Sequence, residues 1–261
     1  MEETYQSQVE HGIDSPWGVV VQTKDGSYTI RNPEIDECYH CFQGALFEAR
    51  FLYLELSGLQ NRLLLPAQDS ADTINLLDVG LGLGYNALSS IDAWLKAPDP
   101  PHLRVTSLEI LASLVDVLVT GEAPWQSNWT EDFLKGATCL KKNPDGSFNG
   151  TLAHSNGRST LEWYVLVGDA AQLPLPTYPG GYHYIWQDPF SPGKGPDMWS
   201  QSWFNRVAGA AAPGCRLMTF SVARMVKDNL ANSGWMWKKI KGPKPGKRQW
   251  TEATWTPVPQ A

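Results

Sequence analysis

Short apolar runs alternate along the chain with stretches of helical spacing, and several of the runs end at an acid. Thr73–Val79, Leu103–Glu109, Trp163–Val167 and Tyr184–Gln187 read as buried strands. The last three deliver Glu109, Asp169 (after Gly168) and Asp188 to strand ends. Helical patterns lie between them, through about Lys96, through about Val119, from Asp197 as a cap to about Ala212, and from about Ala223 to Ala231. A further strand is expected at Arg216–Phe220, and a closing hairpin at Trp235–Ile240 and Gln249–Trp255. Near the N-terminus, Val19–Thr23 and Ser27–Arg31 flank Lys24-Asp25-Gly26, a hairpin signal. Ala45, Leu46, Ala49, Leu52, Tyr53 and Leu56 then recur at 3–4 spacing within a helix expected over Gln43–Leu59. Strands that alternate with helices predict an α/β fold with a mostly parallel sheet. Residues 1–65 form a β-rich extension in this reading, 66–261 the main domain, and 121–160 a loop-rich insertion.

Composition narrows the class. The chain has 261 residues, enough for one sizeable core, and 42% of them are hydrophobic. No apolar stretch reaches the roughly 20 residues a spanning helix needs, and Met1-Glu2-Glu3-Thr4 is not signal-like, so no membrane association is expected and the cytoplasm is the expected location. Cys38-Tyr39-His40-Cys41 has C-x-x-C spacing without a second pair, which argues against a structural metal and for ordinary thiols. The formal charge of −6 disfavours a globally basic nucleic-acid binder. Residues 224–248, however, carry +7 and leave −13 for the rest, a local patch able to meet phosphate.

Candidate chemistry clusters at the strand ends. Gly80-x-Gly82-x-Gly84 sits between a strand and a helix, where glycine permits a tight turn and close approach of a ligand to the helix N-terminus. The spacing departs from the G-x-G-x-x-G of dinucleotide enzymes. With Glu109 placed to take ribose hydroxyls and Asp169 to meet an adenine amino group, it fits S-adenosylmethionine better; for Asp169 alone, a turn cap competes. Asp188 is followed by Pro189 and Pro192, which end the strand and stiffen a loop walled by Trp186 and Phe190. Transfer of a methyl group to an amine needs a neutral, aimed nitrogen, and a carboxylate can aim it and accept its proton.

Asp188-Pro-Phe-Ser-Pro192, Pro196-Asp-Met-Trp-Ser200, Phe204-Asn205 and Ala212-Pro-Gly214 together resemble the MnmC-type tRNA methyltransferase domain. The resemblance continues through Leu217–Ser221 and the basic stretch Lys239–Gly242 to Arg248, and upstream through Asp25-Gly26 to Tyr39 and Gly44 to Arg50. It implies a Rossmann-like sheet with helices on both faces, S-adenosylmethionine as cofactor, and methylation of a 5-aminomethyl group on the wobble uridine of tRNA. It further implies Tyr39, Gly80, Gly82, Gly84, Asn86, Glu109, Asp169 and Ala170 as cofactor contacts and Asp188 as the catalytic residue that orients the amine and helps to deprotonate it. Phe190, Pro192, Lys241, Lys247 and Arg248 would meet the anticodon stem-loop, with base stacking open to Trp186 or Phe190, whereas Trp199, at helical spacing with Phe204, reads as packed. Leu83, Ala49 and Gly195 depart from the family pattern. Many family members fuse this domain to a flavin-dependent oxidoreductase. This chain has no room for one, so a stand-alone form dependent on another enzyme for its aminomethyl intermediate is expected. The residues also leave open a methyltransferase of small-molecule or protein amines, or a silent nucleoside- or RNA-binding module on the same fold.

Overall fold

A computed structural model describes residues 12–242 and 249–257. Its centre is a nine-stranded sheet in the order β12-β13-β11-β10-β5-β6-β9-β8-β7. The strands are β5 (Thr73–Val79), β6 (His102–Glu109), β7 (Lys141–Lys142), β8 (Phe148–Ala153), β9 (Thr160–Val167), β10 (Tyr182–Gln187), β11 (Ala211–Thr219), β12 (Trp235–Lys241) and β13 (Gln249–Trp255). β11, β10, β5, β6 and β9 are mutually parallel, and the pairs at both edges are antiparallel. The near-continuous burial of β5 and β6 reflects helical cover on both faces. The fold is α/β, as the alternating pattern predicts, and Rossmann-like, as the resemblance implies.

Chain order reverses at the middle of the sheet. β5, β6 and β9 add outward on one side, whereas β10 and β11 return to the other side of β5. The C-terminal ends of β5 and β10 therefore frame a crevice where a ligand can reach the sheet, because their outgoing connections part in opposite directions.

A second sheet of four antiparallel strands precedes it, made of β1 (Ile13–Ser15), β2 (Gly18–Gln22), β3 (Tyr28–Asn32) and β4 (Glu37–Cys38). Its hairpin turn also organises the following helix. Asp25 Oδ2 accepts the Phe47 N–H at 2.7 Å, and Ser27 Oγ accepts those of Ala45 and Leu46 at 3.0 and 3.2 Å. These bonds satisfy first-turn donors that a helix cannot satisfy itself. Val20 and Ile30 join Leu52, Tyr53, Leu76 and Trp94 in one buried cluster, so this extension shares the main core.

Three local features differ from the expected pattern. The helix expected over Gln43–Leu59 is α-helical only at Ala45–Glu48, widens to a π-helix at Ala49–Glu55, and is followed by a separate helix, Leu59–Leu64. The Leu56 N–H reaches back to Phe51 O at 3.0 Å, the five-residue step of a π turn. Within 121–160, expected to be loop-rich, Glu131–Thr138 is helical and β7–β8 extend the main sheet. Asp197 does not cap the long helix after β10. It lies in a 3₁₀ turn, Pro196–Trp199, and Ser200 caps Gln201–Ala210 by accepting the Trp203 N–H at 3.1 Å.

Candidate active site

The crevice between β5 and β10 opens into a cavity of about 760 Å³, within the usual size range of small-molecule sites. The loop after β5 forms its floor. Gly80 and Gly82 have φ of +86° and +53°, which side-chain-bearing residues rarely adopt. Proximity requires glycine as well. A Cβ on Gly80 would lie 2.7 Å from the Asp188 backbone oxygen, and one on Gly82 would lie 3.0 Å from the Tyr39 ring. The Asp188 N–H meanwhile bonds Val79 O at 3.0 Å, so the two strand-end loops are pinned together.

Asp188 sits on the cavity wall with both carboxylate oxygens held. Tyr53 donates its hydroxyl to Oδ1 at 2.5 Å, and the Asn86 side-chain amide donates to Oδ2 at 2.7 Å. Tyr53 comes from the π-helix and Asn86 from the first turn of the Tyr85–Lys96 helix, so two elements clamp one side chain from opposite sides. Burial holds the Asp188 carboxyl well above the usual range, and the nearby charge of Glu48 adds to the effect. The two hydrogen bonds pull the other way without offsetting burial. The Tyr53 hydroxyl is raised by burial and by the Asp188 charge, so it remains a donor.

Glu109, only 6% exposed, underlies the glycine loop. Its Oε2 accepts the Gly82 N–H at 2.8 Å and its Oε1 the Leu111 N–H at 2.9 Å. Burial raises its carboxyl while these backbone bonds lower it. Tyr39 spans the cavity, with its ring beside Gly82 and tilted against Phe190 at 4.9 Å between centroids. Burial and the Glu109 charge push its hydroxyl up to about 12. Below Tyr39, the Glu37 carboxylate of β4 accepts the Ser191 hydroxyl at 2.7 Å and the Ser191 N–H at 3.1 Å. The N-terminal sheet thus roofs the cavity and is clasped to the Asp188 loop.

Of the residues expected at the cofactor, Tyr39, Gly80, Gly82, Glu109, Asp169 and Ala170 line this one cavity. Asp169 is exposed at its edge and also caps its own turn, accepting the Ala171 N–H at 2.9 Å, so the two readings of this residue coexist. Gly84 and Asn86 are not on the wall. A Cβ on Gly84 would meet Leu118 and Leu88, and Asn86 is buried with its amide spent on Asp188. Phe190 lines the cavity, whereas Pro192 does not. Trp186 and Trp199 are fully buried and cannot stack on a base. Lys241 is exposed at the end of edge strand β12, away from the cavity. Lys247 and Arg248 lie outside the described residues.

Tyr53, Glu37 and Glu48 were not singled out as site residues in the sequence. A signal existed for Glu48, an acid at helical spacing between Ala45 and Leu52 on an otherwise apolar face. For Glu37–Ser191, 154 residues apart, there was none. The donor set suits S-adenosylmethionine. The glycine cradle leaves backbone room where a Cβ would intrude, Glu109 offers lone pairs for hydroxyls, and exposed Ile110 and Leu111 offer apolar surface for a base.

Comparison with known proteins agrees with this geometry. Residues 142–256 match the model of an S-adenosyl-L-methionine-dependent methyltransferase family. The chain is 31% identical over 220 residues to the tRNA 5-methylaminomethyl-2-thiouridine biosynthesis bifunctional protein MnmC of Polaromonas naphthalenivorans, covering 82% of this chain and 32% of that protein. It is 30% identical over 237 residues to the MnmC of Delftia acidovorans, covering 88% of this chain and 34% of that one. It therefore spans about a third of the length of these relatives. The crystal structure of MnmC2 from Aquifex aeolicus superposes with a TM-score of 0.68 at 21% identity, over 95% of this chain and 73% of that one, and shares its fold. Over most of its length the chain is thus similar to about a third of MnmC-type proteins, and residues 142–256 of it match an S-adenosyl-L-methionine-dependent methyltransferase family.

Proposed function

We propose that this protein methylates the aminomethyl nitrogen of a 5-aminomethyl-uridine, with or without 2-thiolation, at the wobble position of tRNA. One observation carries the proposal: a buried carboxylate, Asp188, held by Tyr53 and Asn86 beside a glycine-floored cavity. S-adenosylmethionine, when bound, supplies a methyl group on a positively charged sulfur. Gly80, Gly82 and Glu109 would hold it, with Tyr39 above and Ala170 and Asp169 at the far end.

Asp188 aims the nitrogen by accepting one of its N–H groups, and takes the proton that the nitrogen must lose. Its anionic form is needed for that task. Tyr53 and Asn86 fix the carboxylate plane so that little reorganisation accompanies proton transfer. Phe190 and Tyr39 exclude water from above. The wobble base already lies in a loop, so presenting it costs little unstacking. The reaction that supplies the substrate must place a primary aminomethyl group on the uridine, and another enzyme would perform it.

Exposed Lys239 and Lys241 of β12, with the lysines and arginine expected to follow, would meet anticodon-stem phosphates. The names of the MnmC relatives support a tRNA substrate. The test is incubation with bulk tRNA carrying 5-aminomethyl-2-thiouridine and labelled S-adenosylmethionine, followed by nucleoside analysis. The expected product is 5-methylaminomethyl-2-thiouridine. Tight cofactor binding without that product would remove the tRNA assignment and favour another amine.

A further inference from the structure

One side chain behind the cavity wall serves that wall. Arg206, on the Gln201–Ala210 helix, is partly buried and is not itself among the lining residues. Its Nη1 donates to two successive backbone oxygens, Ala170 O and Ala171 O, both at 2.8 Å. The Trp203 ring, 5.6 Å from the guanidinium carbon, braces it from the same helix face. The Ala170–Ala171 peptide unit is bonded at both of its ends. Its C=O accepts from Arg206, and its N–H donates to Asp169 Oδ1 at 2.9 Å. One planar group therefore joins Arg206 to Asp169. The second carboxylate oxygen, Oδ2, has no partner among the described residues, and Asp169 lines the cavity. The turn itself closes without Arg206. Gln172 and Leu173 both donate to Asp169 O at 2.9 Å, and Gly168 donates to Glu109 O at 2.8 Å. The same helix also reaches the other strand-end loop, because Trp203 donates its indole N–H to Gln187 Oε1 at 2.9 Å, beside Asp188.

We propose that Arg206 is a positioning residue for the adenine end of the cofactor site, fixing the Asp169 carboxylate through the Ala170–Ala171 peptide so that it selects an amino-bearing base. The inference rests on the methyltransferase reading above. An exposed aspartate samples several rotamers, and ordering one of them on binding subtracts from affinity. Here the Ala171 N–H holds Oδ1 in advance, and Arg206 holds the peptide that supplies that N–H. A charged donor on the carbonyl also polarises the peptide and strengthens its N–H as a donor. Oδ2 is then left as a placed acceptor at the cavity edge. Adenine brings an exocyclic amino group, which donates to it. Hypoxanthine brings a keto oxygen at the same position, which can only accept and is repelled by a carboxylate.

The test is calorimetric binding of S-adenosylhomocysteine and S-inosylhomocysteine to wild type, Arg206→Met and Arg206→Lys, and to Asp169→Ala with and without Arg206→Met. Wild type is expected to prefer the adenosyl ligand by about 30-fold or more. Arg206→Met keeps a good helix former and deletes the donor, and is expected to cut that preference below about fivefold by weakening the adenosyl ligand alone. Arg206→Lys, which retains a charged donor, recovers part of the preference. In the Asp169→Ala background, where no carboxylate is left to place, Arg206→Met should leave the preference unchanged. An undiminished preference in Arg206→Met, or equal losses for the two ligands, overturns the inference. So does the same drop in preference with and without Asp169. If Arg206→Met does not fold, Arg206→Gln, whose shorter amide cannot serve both carbonyls, decides by the same comparison. Wild type that binds neither ligand would instead sink the methyltransferase reading, and this inference with it.

Discussion

At the scale of residues, the site is built around a carboxylate kept basic by burial and kept in place by two donors. Asp188→Asn removes the proton acceptor but keeps the shape and both neighbours, so kcat/KM is expected to fall by about 10²–10⁴-fold with cofactor binding retained. Equal turnover by that variant would remove Asp188 from its role. Because the Asp188 carboxyl is raised and its anion is the working form, kcat/KM should fall on acidification at a pH above the ordinary aspartate range. Tyr53→Phe deletes the donor to Oδ1 and should cost about tenfold in kcat with KM for cofactor unchanged. Asp78 gives a stability counterpart. It is fully buried, accepts the Ser107 hydroxyl at 2.8 Å, and burial raises its carboxyl to about 7. A carboxyl raised in the folded state stabilises below its unfolded value near 3.8 and loses that contribution as pH rises towards 7. Asp78→Asn should therefore melt at a higher temperature than wild type at pH 8, by on the order of 2 kcal/mol, with a smaller advantage at pH 5. Equal pH dependence of melting in the two proteins would contradict this account.

Elements bring these residues together through their exits rather than their interiors. β5 and β10 lie side by side, and their loops touch at Gly80 and the Asp188 backbone oxygen, where backbone faces backbone and neither can yield. Gly80→Ala adds a clash there and strain at positive φ, and is expected to cost at least about 2 kcal/mol in denaturant unfolding and to abolish cofactor binding. The π-helix has a specific effect, since its wider turn alters which faces of Ala49–Glu55 meet the sheet while Tyr53 reaches Asp188. The sequence showed a helix there from its 3–4 spacing, but a π turn leaves almost the same spacing over seven residues. The strand end at Asp188 was legible because an acid after an apolar run, followed by Pro, marks where a ladder must stop, whereas Glu109 was legible as the acid that closes an apolar run. The partner of each acid was not legible, because it comes from a distant part of the chain.

On the scale of the whole molecule, charge is distributed between two places with opposite tasks. The cavity is acidic, suited to a sulfonium and an ammonium, whereas lysines of edge strand β12 face solvent on the far side of β13. Lys238 is partly committed, with its ammonium 3.1 Å from Glu252, which leaves Lys239 and Lys241 as the better phosphate contacts. If they meet the tRNA backbone, replacing both by alanine should weaken binding at low salt and reduce the slope of log affinity against log salt by about 0.7–0.9 per lysine. A binding curve insensitive to salt would leave the strand without that role. Among the described residues no helix is long and apolar enough to cross a membrane.

The sequence alone determined the fold class, the run of parallel strands, the glycine loop and the acids at strand ends, because these depend on periodicity and on residues that forbid regular structure. Its family motifs also pointed to a methyl donor and an amine. Tertiary structure decided what each polar group is spent on. It turned Asn86 from the cofactor towards Asp188, drew Tyr53 out of an apolar stripe to hold the same carboxylate, and buried Trp186 away from any base. The physical reason is that hydrogen-bond and charge partners are chosen by proximity in space, across separations such as the 135 residues between Tyr53 and Asp188, on which local spacing carries no information.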